Sequence, residues 1–117
     1  MAKSTGKYVP DQGDVVWVDF DPVKGHEQGG RRPALVMSPV NYNSKVRLCL
    51  ACPITSHSKG FEFEVPLTGK IKGVILADQI KTMAWGDRNC KYVTRVDEST
   101  LMSVSSIISL LLLPESF

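Results

Sequence analysis

Residues Lys24 to Val36, KGHEQGGRRPALV, gather His26, Glu27, Gln28, Arg31 and Arg32 around a glycine pair. Gly29 and Gly30 give the chain backbone freedom that other residues lack, so it can move or approach a ligand closely there. Pro33 acts in the opposite sense and presses Arg32 into extended geometry at the start of a strand. Arg32 then offers a fixed guanidinium fork, suited to a phosphate or a carboxylate, hinged against a loop that carries Glu27 and Gln28. A second polar group, Thr55, ends the stretch VRLCLACPIT just before the polar turn SHSKG. If the strands beginning at Pro33 and ending at Thr55 are antiparallel neighbours, Arg32 and Thr55 face one small anionic site. A fixed cation and a hydroxyl donor suit the charge that develops on a phosphodiester when an RNA 2′-hydroxyl attacks its own phosphate. That reaction needs orientation and proton transfer, and neither a metal nor a protein nucleophile. Arginine is a poor general base, so the acid–base role is the weakest part of an assignment to Arg32.

Each of these groups also has a plain structural reading. Arg32 can pair with Asp19 or Glu27, and Glu27 can neutralise Arg31 or Arg32. His26 and His57 sit in loops, where exposed histidines without a catalytic role are common. Asp14, Asp19 and Asp21 resemble a magnesium cluster only superficially, because Asp14 lies at the far end of its strand from Asp21. Trp17 and Trp85 are able to stack on an unpaired base, although packing is the commoner use of such rings. Lys59, Arg88 and Lys91 are suited to tracking an RNA backbone or simply to facing water. Cys49 and Cys52 form a C-x-x-C, but on a strand residues three apart point to opposite faces, so the two thiols cannot close on one metal. With Cys90 the count is odd, which speaks for buried free thiols over a disulfide framework.

The elements that must hold these groups are short strands. DVVWVDF (14–20) alternates, with Val16, Val18 and Phe20 on one face and Val15, Trp17 and Asp19 on the other. PALVMS (33–38) and VRLCLACPIT (46–55) follow, separated by PVNYNSK, which has room for one helical turn. FEFEVPL (61–67) alternates again, with Pro66 marking a sheet edge or a strand end. GVILAD (73–78) reads as a strand covered on both faces. IKTMAW and KYVTRV flank Gly86-Asp87-Arg88-Asn89 as a hairpin would. A helix over 97–113 closes the chain: Asp97 caps it, and Leu101, Val104, Ile108, Leu111 and Leu112 form a stripe opposite Ser99, Ser103 and Ser106. Leu110 and Leu113 lie off that stripe and suggest a second protein surface, hence a dimer. This pattern predicts a mainly β chain: a small, SH3-like, partly open barrel with one terminal α-helix.

At 117 residues, 43% apolar and 22% charged, the chain reads as one soluble globular domain spanning 1–117, with an N-terminal arm over 1–12. The first residues lack the apolar core of a signal peptide, and the run Leu110–Leu113 is too short to span a bilayer, so no membrane association and a cytoplasmic location are expected. Net charge is +2; residues 1–60 carry eight Lys/Arg against five Asp/Glu, and residues 61–117 six against seven. The cationic surplus falls in the half that contains Arg32, a mild bias toward an anionic ligand.

The segments GDVVWVDFDPVKGHEQGGRRPALVMSP, ACPITS and VILADQIK, in this order and spacing, resemble the MazF/PemK family of toxin endoribonucleases. The resemblance implies a homodimeric SH3-like barrel that cuts single-stranded RNA, including mRNA, at a short sequence and without metal or cofactor. The products would carry 2′,3′-cyclic phosphate and 5′-hydroxyl ends, and translation and growth would stop. It further implies a cognate antitoxin whose flexible acidic segment occupies the RNA site, with operator DNA bound only through that antitoxin. Carried across, the family's catalytic positions fall on Arg32, Thr55 and Glu27, and its base-approaching positions on Gln28 and Gln79. His26, Arg31 and Lys59 are candidate local additions to RNA binding; a serine stands in many relatives where this chain has His26. Two rivals remain at this level: a non-catalytic barrel toxin of the gyrase-poison kind, and a nucleic-acid-binding module without catalysis.

Overall fold

The structure, a computed structural model, describes residues 8–20 and 30–114. His26, Glu27, Gln28 and Asp21 lie outside the described residues. The chain order is β1 (Asp14–Phe20), β2 (Gly30–Val36), α1 (Val40–Val46), β3 (Cys49–Thr55), β4 (Glu64–Leu67) and β5 (Gly73–Leu76). A 3₁₀ turn at Ala77–Gln79, β6 (Lys81–Met83), a second 3₁₀ turn at Trp85–Asp87, β7 (Lys91–Arg95) and α2 (Glu98–Leu112) complete it.

Among the described residues the strands form one curled half-barrel in the order β4-β5-β3-β2-β1-β7, with β6 alongside β3. β3 is the spine. One edge pairs with β2, where Ala34 faces Pro53 and Val36 faces Ala51. The other edge pairs first with β6, Cys49 facing Met83, and then with β5, Ile54 facing Ile75. The turn Ala77–Gln79 sits between β5 and β6 and absorbs a three-residue change of register as the sheet bends away from β3. A bulge between Val15 and Val16 in the β1–β7 ladder adds to the curl.

Curling gives the sheet two covered faces. Val15, Leu35, Cys52, Ile54, Ile75 and Val104 form one apolar cluster; Val16, Val18, Ala34, Val36, Cys49 and Trp85 form the other. This is why residues 15–18, 34–36 and 49–54 are unbroken by polar residues. The alternation expected for Cys49 and Cys52 is observed, one thiol in each cluster. Burial pushes both up to about 12, so they stay protonated at neutral pH.

A buried carboxylate ties the arm to the sheet. Asp14 is fully buried and accepts from the Tyr8 hydroxyl at 2.6 Å, the Asp11 amide at 3.0 Å and the Arg95 guanidinium at 2.8 Å. Asn43 of α1, also buried, donates to the Pro10 carbonyl at 2.7 Å and the Ser38 carbonyl at 2.9 Å. Asp97 caps α2 by accepting from the Thr100 amide at 2.8 Å.

Several expectations change. The residues read as a hairpin around Gly86–Asn89 do not pair with each other: β6 joins β3, β7 joins β1, and a 3₁₀ turn crosses between them. In FEFEVPL only Glu64–Leu67 is strand, on the sheet edge that Pro66 signalled; Phe61 to Phe63 belong to the preceding turn. Val46 ends α1 and Arg47 turns left-handed with φ 64°, so the long strand starts at Cys49. The face of α2 packed on the core is the buried Val104 with the half-buried Leu101, Ile107 and Ile108, whereas Leu111 and Leu112 are exposed. Among the described residues no helix is long and apolar enough to cross a membrane.

Candidate active-site cleft

The β2–β3 register fixes the first pair of interest. Ala34 lies opposite Pro53, so two residues further out Arg32 lies opposite Thr55, on the same face of the sheet and at the end of both strands. Both line two adjoining recesses, and His57 lines them as well. The first, about 390 Å³, is completed by Trp17, Pro33, Lys70 and Lys72. The second, about 240 Å³, is completed by Lys59, Phe61, Glu64, Asp78 and Gln79. Among the described residues the first recess therefore carries cations without a carboxylate, whereas the second mixes both signs.

Adjacent arginines have different duties. Arg31 faces Asp19 across the β1–β2 ladder, donates to its carboxylate at 2.9 Å and reaches the Asn89 carbonyl at 2.8 Å. Among the described residues Arg31 acts as a structural clamp and lines neither recess. Arg32 is half-buried, and among the described residues no side chain pairs with its guanidinium. The structural alternative of an Arg32–Asp19 pair is removed because Arg31 occupies Asp19. The Thr55 hydroxyl accepts from the His57 amide at 3.1 Å, which leaves its hydrogen to donate.

The end of β3 is held by a glycine. A Cβ on Gly73 would overlap the Thr55 carbonyl, and Gly73 has φ +149°, so only glycine lets β5 close on the strand that presents Thr55. Gly73→Ala is expected to destabilise the fold by about 1–3 kcal/mol in urea unfolding. It should also move the Thr55 amide resonance.

The other expected residues divide. Gln79, on the turn after β5, and Lys59 are brought to the second recess. Trp17 lines the first. Trp85 is a core residue of the second cluster whose indole donates to the Asn43 carbonyl at 3.2 Å beneath the Arg47 guanidinium. Arg88 donates to the Asp19 carbonyl at 3.2 Å, a structural contact. Asp14 and Asp19 are both engaged by guanidinium groups, which argues against reading them as metal ligands. His26, Glu27 and Gln28 lie outside the described residues. Sequence reading missed Lys70 and Lys72, whose signal was the GKIKG turn, and Phe61, which was hidden inside an alternating run.

The sequence profile described as "PemK-like, MazF-like toxin of type II toxin-antitoxin system" matches residues 11–112. The chain is 49% identical over 107 residues to the endoribonuclease toxin MazF of Escherichia coli strain K12, covering 91% of this chain and 96% of that protein. It is 33% identical over 108 residues to the Escherichia coli endoribonuclease PemK, covering 87% and 81% respectively. A crystal structure of MazE–MazF from Deinococcus radiodurans superposes with a TM-score of 0.84 at 44% identity, covering 91% of this chain and 97% of that one.

Proposed function

The chain belongs to the PemK-like, MazF-like toxins of type II toxin–antitoxin systems and is an endoribonuclease toxin, and on that premise we propose that Arg32 and Thr55 grip the scissile phosphate of single-stranded RNA. The 2′-oxygen attacks the adjacent phosphorus and the bond to the 5′-oxygen breaks. The products are a 2′,3′-cyclic phosphate and a 5′-hydroxyl. One proton leaves the 2′-hydroxyl and one is delivered to the departing 5′-oxygen. Arg32 neutralises the charge gathered on the non-bridging oxygens, and Thr55 donates a hydrogen bond to one of them. Glu27 is assigned a part in cleavage, and Gln28 and Gln79 are assigned to base contacts, on the family resemblance. The observation that carries the reading is the opposition of Arg32 and Thr55 at one strand end, with the guanidinium unclaimed among the described residues.

In this reading the protein acts in the cytoplasm, where cleavage of mRNA stops translation and growth. Its partner is a cognate antitoxin whose acidic, flexible segment competes for the cationic recess of Arg32, Lys70 and Lys72. It works as a homodimer; the exposed Met102, Leu110, Leu112 and Leu113 of the terminal helix region supply apolar surface for a second copy.

The deciding assay incubates purified protein with mixed RNA in EDTA and sequences the ends. Defined cuts with 5′-hydroxyl termini are expected. Intact RNA with stalled supercoiling would favour a gyrase poison, and retarded but uncut RNA a binding module. Three cations at the first recess predict that log K for single-stranded RNA falls against log salt with a slope of about −2. Replacing Lys70 and Lys72 together with alanine should reduce that slope to about −0.7.

A further inference from the structure

The loop that leaves Thr55 carries an aromatic ring with no core role. Phe61 is 59% exposed, yet it lines the second recess together with Arg32, Thr55 and Gln79. Its position is not left to chance. The Glu64 carboxylate accepts from the Ser58 hydroxyl at 2.6 Å, the Lys59 amide at 3.0 Å and the Gly60 amide at 3.2 Å. Gly60 takes φ +75° so that the chain can fold back over that carboxylate. The Glu64 amide donates to the Phe61 carbonyl at 3.2 Å, and the Ala77 amide to the Phe63 carbonyl at 3.1 Å. The loop is thus pinned to the same 3₁₀ turn that carries Gln79. The Ser58 hydrogen bond, followed by those from the amides, also holds the pKa of Glu64 below its ordinary 4.5, which keeps the clamp ionised at neutral pH.

A ring carried into water on a loop held by these five hydrogen bonds is prepared for a flat apolar ligand, because little backbone ordering remains to be done on contact. The recess beside it has Arg32 and Thr55 for a phosphate, and the Gln79 amide and Asp78 carboxylate for the edge of a base. We propose that Phe61 is a stacking platform for a nucleobase flanking the scissile phosphate, and that Glu64 is the positioning residue that presents it. The inference rests on the nuclease reading and extends it to substrate recognition. A phosphate and a base face are both supplied by a nucleotide, whereas an acidic peptide would use the cation and leave the ring unmatched.

The test uses an RNA oligonucleotide containing a site that the wild-type protein cuts, together with versions made abasic at single positions on either side of it. Phe61→Ala is expected to lower kcat/KM about 5- to 150-fold. Phe61→Trp should restore most of it, and circular dichroism and thermal unfolding should match wild type. Glu64→Gln should raise KM more than it lowers kcat. At one flanking position the loss of the base and the loss of the ring should fail to multiply, since each removes the same contact. A Phe61→Ala protein that cuts within about twofold of wild type overturns the inference and leaves the nuclease reading standing. So do effects that multiply at every position, or normal cutting with weakened capture of an acidic antitoxin peptide. RNA left whole by the wild-type protein overturns both.

Discussion

Replacing Arg32 with alanine is expected to lower kcat/KM for RNA cleavage by about 10²- to 10³-fold while leaving the urea-unfolding midpoint close to wild type. The two halves of this expectation have separate grounds. The guanidinium has no side-chain partner among the described residues, so its removal strands no buried group. Its neighbour Arg31 performs the structural pairing with Asp19 and remains in place. On the functional side, the charge developing on a phosphoryl group would lose the donor fork that Arg32 presents to the recess. Arg32→Lys keeps the charge and loses the planar pair of donors, so it should recover binding at low salt better than it recovers turnover. Wild-type turnover in the alanine variant would remove Arg32 from the reaction.

The second large effect is on stability. Asp14→Ala is expected to cost about 3 kcal/mol in urea unfolding, the lower end of the range for breaking a buried ion pair, because Arg95 is about half-exposed. The carboxylate joins three segments distant in sequence: the arm through Tyr8 and Asp11, β1 itself, and β7 through Arg95. Its removal leaves the Tyr8 hydroxyl without that acceptor and frees the last strand of the sheet. Burial, then the hydrogen bond to Asp14, holds the Tyr8 hydroxyl well above its ordinary 10.0. A raised value favours the neutral form in the fold, so this contribution is complete below pH 10 and declines in stronger alkali. The alkaline loss should be smaller in Asp14→Ala than in wild type. An unchanged urea midpoint in the variant would show that the buried carboxylate is not a keystone.

Local chemistry made much of this molecule legible before the fold was known. Alternation placed β1, the C-x-x-C spacing assigned its thiols to opposite faces, and Asp97 announced the start of α2. The pairing of β6 with β3 was not legible, because a polar tetrapeptide between two short strands looks the same whether they join each other or separate partners. The arginine pair is a similar case. Arg31 and Arg32 are chemically equal in sequence, and only the ladder opposite Asp19 decides which is spent on structure. Phe61 was concealed because a turn that happens to alternate looks like a strand; what identifies it is Glu64 collecting three donors from behind.

The opposed placement of Cys49 and Cys52 has a practical consequence. Each side of the sheet contains its own chemical label site, dormant until that layer parts from β3. The kinetics of alkylation at each position, resolved by peptide mass, would report the opening of one layer independently of the other, and so measure whether the two halves of the interior breathe as one body.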